Sequence, residues 1–124
     1  MSGERKEDFR LRTKAYASAI IRLYCFLPND HIEVQVIGKQ LLRSGTSVAA
    51  NYREASRARS PSEFISKIET CAQEADESML WLELLRDDCH IQSDELRWLI
   101  QETDELISIF VSMSKNTKRS ARPG

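Results

Sequence analysis

The stretch Ser60-Pro61-Ser62-Glu63-Phe64-Ile65-Ser66-Lys67-Ile68, continuing through Cys71-Ala72-Gln73-Glu74-Ala75 to Trp81-Leu82-Glu83-Leu84-Leu85, decides the fold. Within it Phe64, Ile68, Cys71, Ala75, Ser78, Leu82 and Leu85 recur in alternating steps of four and three. That spacing lines them up along one side of an α-helix, and so long an apolar stripe must be buried against other helices. The start of the helix has its own chemistry. Ser60 offers an N-cap oxygen, Pro61 occupies the first helical position where a missing N–H is harmless, and Glu63 supplies a reciprocal capping carboxylate.

Three more stripes with the same step flank this one. The first runs Phe9, Thr13, Tyr16, Ile20, Leu23, Leu27; the second Val34, Ile37, Leu41, Ser44, Val48, Asn51, Ala55; the last Leu96, Leu99, Thr103, Leu106, Phe110, Met113. The spacing predicts helices over about 8–27, 31–57, 61–88 and 94–114. Asp30 with Glu33 is expected to cap the second helix, and Ser93 the fourth. Four Gly and three Pro are too few to turn the many strands of a sheet protein. Short links make successive helices antiparallel, so the expected fold is a single-domain, all-α, up-and-down four-helix bundle. Residues 115–124, rich in Lys, Arg, Ser, Pro and Gly, read as a basic disordered tail.

Met1 to Lys14 is polar and charged, and no apolar run approaches the roughly 18 residues of a membrane span. A cytoplasmic protein is expected. Cys25, Cys71 and Cys89 are odd in number and lack Cys-x-x-Cys spacing, which argues for buried structural thiols over disulfides or zinc.

The net charge of −1 conceals a division. Residues 1–60 carry 11 basic and 6 acidic side chains, residues 61–113 carry 3 and 13, and the tail adds four basic ones. Oppositely charged halves favour head-to-tail contact between copies, which closes into rings. Leu80, Trp81 and Leu84 project about 150° from the core line of the third helix at 100° per residue. With Trp98 and Ile109 beside the fourth seam, they are candidate oligomer-interface residues, the alternative being that each Trp packs at the edge of its own core.

Catalysis finds no foothold. A di-iron bundle needs Glu-x-x-His pairs facing its centre, and none occurs. Asp87-x-x-His90 is the nearest match and lies at a helix end. There is no Gly-rich phosphate loop or Ser elbow, so the reading is non-enzymatic, with no cofactor and no metal. One polar constellation stands out: Arg43, Ser47, Asn51 and Glu54 fall within about 80° of one another along the border of the second seam, as a structural network or a ligand site.

The segment Gln40-Leu41-Leu42-Arg43-Ser44-Gly45-Thr46-Ser47-Val48-Ala49-Ala50-Asn51-Tyr52-Arg53-Glu54-Ala55, followed by Ser60 and Phe64, resembles the signature of a bacterial family. That family is named for proteins encoded in 23S ribosomal-RNA intervening sequences and includes the accessory variability determinants of diversity-generating retroelements. The resemblance implies an antiparallel four-helix bundle assembling as a ring-shaped homopentamer. For the accessory proteins it implies nucleic-acid binding and partnership with a reverse transcriptase. Gln73-Glu74-Ala75-Asp76-Glu77 stands where many relatives carry a small Gly-Ser pair.

Two functions are therefore carried forward: an oligomeric nucleic-acid-binding accessory protein, and a homo-oligomeric scaffold or protein-partner module without nucleic-acid contact. In the first, phosphate contacts are expected from basic residues gathered at one pole of the bundle. Arg5, Lys6, Arg10, Arg12 and Lys14 lie at the start of the first helix, Arg53, Arg57 and Arg59 at the end of the second, and Lys115, Lys118, Arg119 and Arg122 after the fourth.

Overall fold

The computed structural model describes residues 3–121, and the side chains from Asp8 to Ala121. Four helices, α1 (Gly3–Phe26), α2 (Ile32–Ser56), α3 (Pro61–Asp87) and α4 (Asp94–Ala121), account for nearly all of it, with no strand among the described residues. The start of α3 follows its sequence closely. Ser60 Oγ accepts from the Glu63 backbone N–H at 3.1 Å, and the Glu63 carboxylate accepts from the backbone N–H of Arg59 at 2.9 Å. Ser93 Oγ caps α4 through the Leu96 N–H at 3.0 Å.

The expected Asp30 cap is not made. His31 is the N-cap of α2, extended in backbone and without a side-chain cap bond, while Gln35 reaches back to the Asn29 carbonyl. The disordered tail is also corrected: α4 runs on to Ala121, and Arg122 lies outside the described residues. Lys and Arg are good helix formers, and at a C-terminus they face the negative end of the helix dipole. Lys118 is further tied to Glu69 of α3 at 2.8 Å.

Every residue of the four seams is buried or half-buried, and all four helices contribute to one core. Each helix packs on its chain neighbours, and α4 returns to α1 over a narrower contact. Paired positions run in opposite senses: Arg12 meets Glu102 while Arg22 meets Glu95, and Arg43 meets Glu74 while Glu54 meets Lys67. Gly38 and Gly45, seven residues apart on α2, let α1 approach closely. A Cβ at Gly45 would stand 2.8 Å from Ile20 Cγ1, and one at Gly38 2.9 Å from Leu27 Cδ1.

At mid-height the core is polar. Tyr16 Oη and Thr103 Oγ1 are 2.6 Å apart, and Ser44 Oγ and Ser78 Oγ 2.7 Å apart. One pair couples α1 to α4 and the other α2 to α3, and none of the four hydroxyls is exposed. Thr103 donates to the Leu99 carbonyl and Ser78 to that of Glu74, so within the pairs Tyr16 donates to Thr103 and Ser44 to Ser78. Burial pushes the Tyr16 phenol up to about 12.

Candidate functional site: a polar ladder and a basic pole

The stripe on α2 faces α3. The Arg43 guanidinium pairs with Glu74 at 3.2 Å and with Glu77, and Glu77 also accepts the indole N–H of Trp81 at 3.1 Å. Both carboxylates hold Arg43 charged, raising its already high pKa, with the hydrogen bond to Glu77 the largest cause. Glu54 accepts from Lys67 at 3.0 Å. Asn51 stays within α2, donating to the Ser47 carbonyl at 2.9 Å and to Ser47 Oγ at 3.0 Å. The stripe therefore forms a ladder of ion pairs and hydrogen bonds along the α2–α3 border.

The interface candidates divide. Leu80 and Trp98 are 47% and 48% exposed, whereas Leu84, Trp81 and Ile109 are half-buried. Trp81 packs against the core, and Glu77, one turn earlier on α3, takes its indole N–H. Ile109 packs on the core too. Ile32 and Val36, one turn apart on α2, are 73% and 51% exposed and were not singled out by the seams. Since Ser44 meets Ser78, the antisense register sets Val36 level with Leu84.

The basic residues converge where the aromatic rings of Phe9, Tyr52 and Phe110 pack. The Phe9 ring lies 4.8 Å from Tyr52 and 5.6 Å from Phe110, both edge-on. This cluster pins the start of α1, the end of α2 and the later part of α4 at one pole. Not every cation there is available. Arg12 is held by Glu102 through bonds of 2.9 and 2.8 Å, and approached by Glu105 at 3.5 Å. Lys118 is paired with Glu69, whose carboxyl it pulls below the usual range. Lys14, Arg53, Arg57, Arg59, Lys115 and Arg119 are exposed and make no ion pair among the described residues. Arg10 is half-buried at the same pole, while the side chains of Arg5 and Lys6 lie outside the described set.

The thiols also divide. Cys71 is buried, bonds the Val48 carbonyl at 3.8 Å and is pushed up to about 12 by burial, and Cys89 is half-buried. Cys25, expected buried, is exposed because it sits off the α1 seam. Among the described residues no group of three His, Cys, Asp or Glu could hold a metal ion, and no helix is long and apolar enough to cross a membrane.

These observations define an all-α, four-helix protein whose distinguishing chemistry lies on its surface. The chain belongs to the 23S rRNA-intervening sequence protein family, a model of which matches residues 6–112. It is similar to a crystal structure of a protein with unknown function from the S23 ribosomal protein family of Bacteroides thetaiotaomicron. The two are 34% identical, with a TM-score of 0.79, covering 89% of this chain and 97% of that one. A comparison with curated proteins found no match.

Proposed function

We propose that this protein is a non-enzymatic, cytoplasmic binding protein: an antiparallel, up-and-down bundle whose copies close into a homopentameric ring that grips nucleic-acid backbone with one basic rim. The observation that carries the reading is the convergence of unpaired cations at the Phe9, Tyr52 and Phe110 pole. A ring repeats that cluster on one rim, and several weak phosphate contacts acting together gain avidity without any base-reading element.

Assembly has its own support. Ile32, Val36, Leu80 and Leu84 form an apolar stripe on the α2–α3 face, and Trp98 stands on α4 across the molecule. Exposed apolar patches rimmed by charge mark protein interfaces. Val36→Glu with Leu80→Glu is expected to reduce the particle mass to that of a monomer in light scattering. An unchanged mass would remove this stripe from the interface.

Binding is tested by titrating labelled single-stranded RNA and DNA at several salt concentrations. The intact protein is expected to bind both with modest affinity, with log K falling steeply as log salt rises. Arg53→Ala with Arg57→Ala and Arg119→Ala should flatten that slope. If the intact oligomer binds neither at low salt, the scaffold or protein-partner reading replaces this one. The 13 acidic residues among 61–113 favour that second reading.

A further inference from the structure

Away from the basic pole, where α1 ends and α4 begins, lies a half-enclosed hollow of about 460 Å³. Leu23, Leu27, Pro28 and Ile91 floor it, and Phe26 forms its lip at 86% exposure, the most exposed large apolar side chain described. His90, on the wall, has a φ of 57°, a left-handed backbone that a residue other than glycine keeps when its surroundings hold it. The holding bonds are visible: Asp88 N–H donates to the Leu84 carbonyl at 2.9 Å, Cys89 N–H to the same oxygen at 3.1 Å, and Ile91 N–H to that of Leu85 at 2.9 Å. The wall is therefore built in advance of any occupant.

The surroundings are acidic. Asp30, Glu33, Asp87, Asp88, Asp94 and Glu95 occupy the ends of the helices around the hollow. The guanidinium groups there are already engaged, Arg22 with Glu95 at 3.3 Å, Arg86 with Asp87 at 2.7 Å and Arg97 with Asp94. His31 sits within 4 Å of both Asp30 and Glu33, at 3.9 and 3.8 Å. Carboxylates remain in excess, so phosphate is repelled and cations are drawn in. The hollow is of ligand size, and the Phe26 ring at its lip is left almost wholly to solvent.

We infer that this hollow docks a Lys/Arg-rich amphipathic helix of a partner protein, one large apolar side chain of which fills the space beneath Phe26 while its cations meet the carboxylate rim. Apolar contact supplies the anchor and charge selects the partner. The site is independent of the basic pole, so it stands or falls apart from nucleic-acid binding.

The test uses the full chain and a fluorescein-labelled synthetic helix of alternating Leu and Lys at three- and four-residue spacing, read by anisotropy. Two control peptides replace every Leu by Ala, or every Lys by Glu. The Leu-Lys peptide should bind at least ten-fold more tightly than either. Phe26→Ser should weaken it ten-fold or more with an unchanged circular-dichroism spectrum, and Asp88→Lys with Glu33→Lys should do the same. Equal binding of the Leu-free or Lys-free peptide overturns the inference, as does indifference to Phe26→Ser. If Phe26→Ser changes the mass of the assembly, the occupant is a second copy and the inference fails.

Discussion

The α2–α3 border and the α1–α4 border close the same core by different means. Between α2 and α3 the interior is crowded with apolar side chains, Leu41, Val48, Ile68, Ala75 and Leu82 all fully buried, and an outer ladder of ion pairs adds to it. Between α1 and α4 the contact is narrower, and an open groove of about 570 Å³ runs between Asp8, Phe9, Ile109 and Met113. There the two-bonded Arg12–Glu102 pair and the Tyr16–Thr103 bond take a larger share. A border rich in packing tolerates the loss of any single polar contact, whereas a thin one depends on each.

The largest effect should come from the crowded border. Leu82→Ala deletes a fully buried side chain and is expected to cost about 2 to 5 kcal/mol in urea unfolding. Next comes the thin border, where Thr103→Val leaves the Tyr16 hydroxyl short of a partner and should cost about 1 to 3 kcal/mol. Adding Tyr16→Phe should recover part of that loss, because an unmade bond costs more than an absent one. A recovery of nothing would mean that the Tyr16–Thr103 bond does not couple α1 to α4.

Alkaline pH probes both borders together. Burial raises the Cys71 thiol from 9.0 and the Tyr16 phenol from 10.0, each to about 12, so the unfolded chain ionises first. Both groups then contribute stability that is complete below pH 9 and is lost as pH climbs to about 12. Cys71→Ala should remove the part of the loss that begins near pH 9, and Tyr16→Phe the part that begins near pH 10, in pH-dependent thermal melts. The smallest pair of effects separates the ion pairs. Arg12→Ala strands the nearly buried Glu102 and should cost about 1 to 2 kcal/mol, whereas Lys67→Ala on the exposed ladder should cost under about 1 kcal/mol.

Most of the fold was legible because heptad spacing speaks directly about burial, and the seam residues from Phe9 to Met113 occupy the core as their spacing requires. The polar pairs were half legible. Tyr16, Ser44, Ser78 and Thr103 visibly interrupt four apolar seams, but which hydroxyl meets which depends on helix register, and no single helix contains that information. The end of α4 was misread because its Lys, Asn, Ser and Arg suit a solvated coil as well as a helix, and Glu69 on α3 decides between them. Trp81 shows the limit of angular arithmetic: its backbone direction points outward, yet a long side chain can fold back to a carboxylate one turn earlier. The hollow beside Phe26 had no signal in seam spacing, since it is formed where the end of α1 meets the start of α4.

The narrowness of the α1–α4 border also sets an order of events in time. Ser44 and Ser78 are 34 positions apart, whereas Arg12 and Glu102 are 90 apart, so closing the second contact costs about 1 kcal/mol more in chain entropy. The contact that is entropically dearest is also the one with the least apolar surface to reward it. Helices α2, α3 and α4 can therefore pair as successive local hairpins while α1 still samples open conformations, and unfolding reverses that order. Amide protons of α1 should exchange with solvent ahead of those of α3, because the first helix to be read from the sequence is the last to be locked and the first to leave.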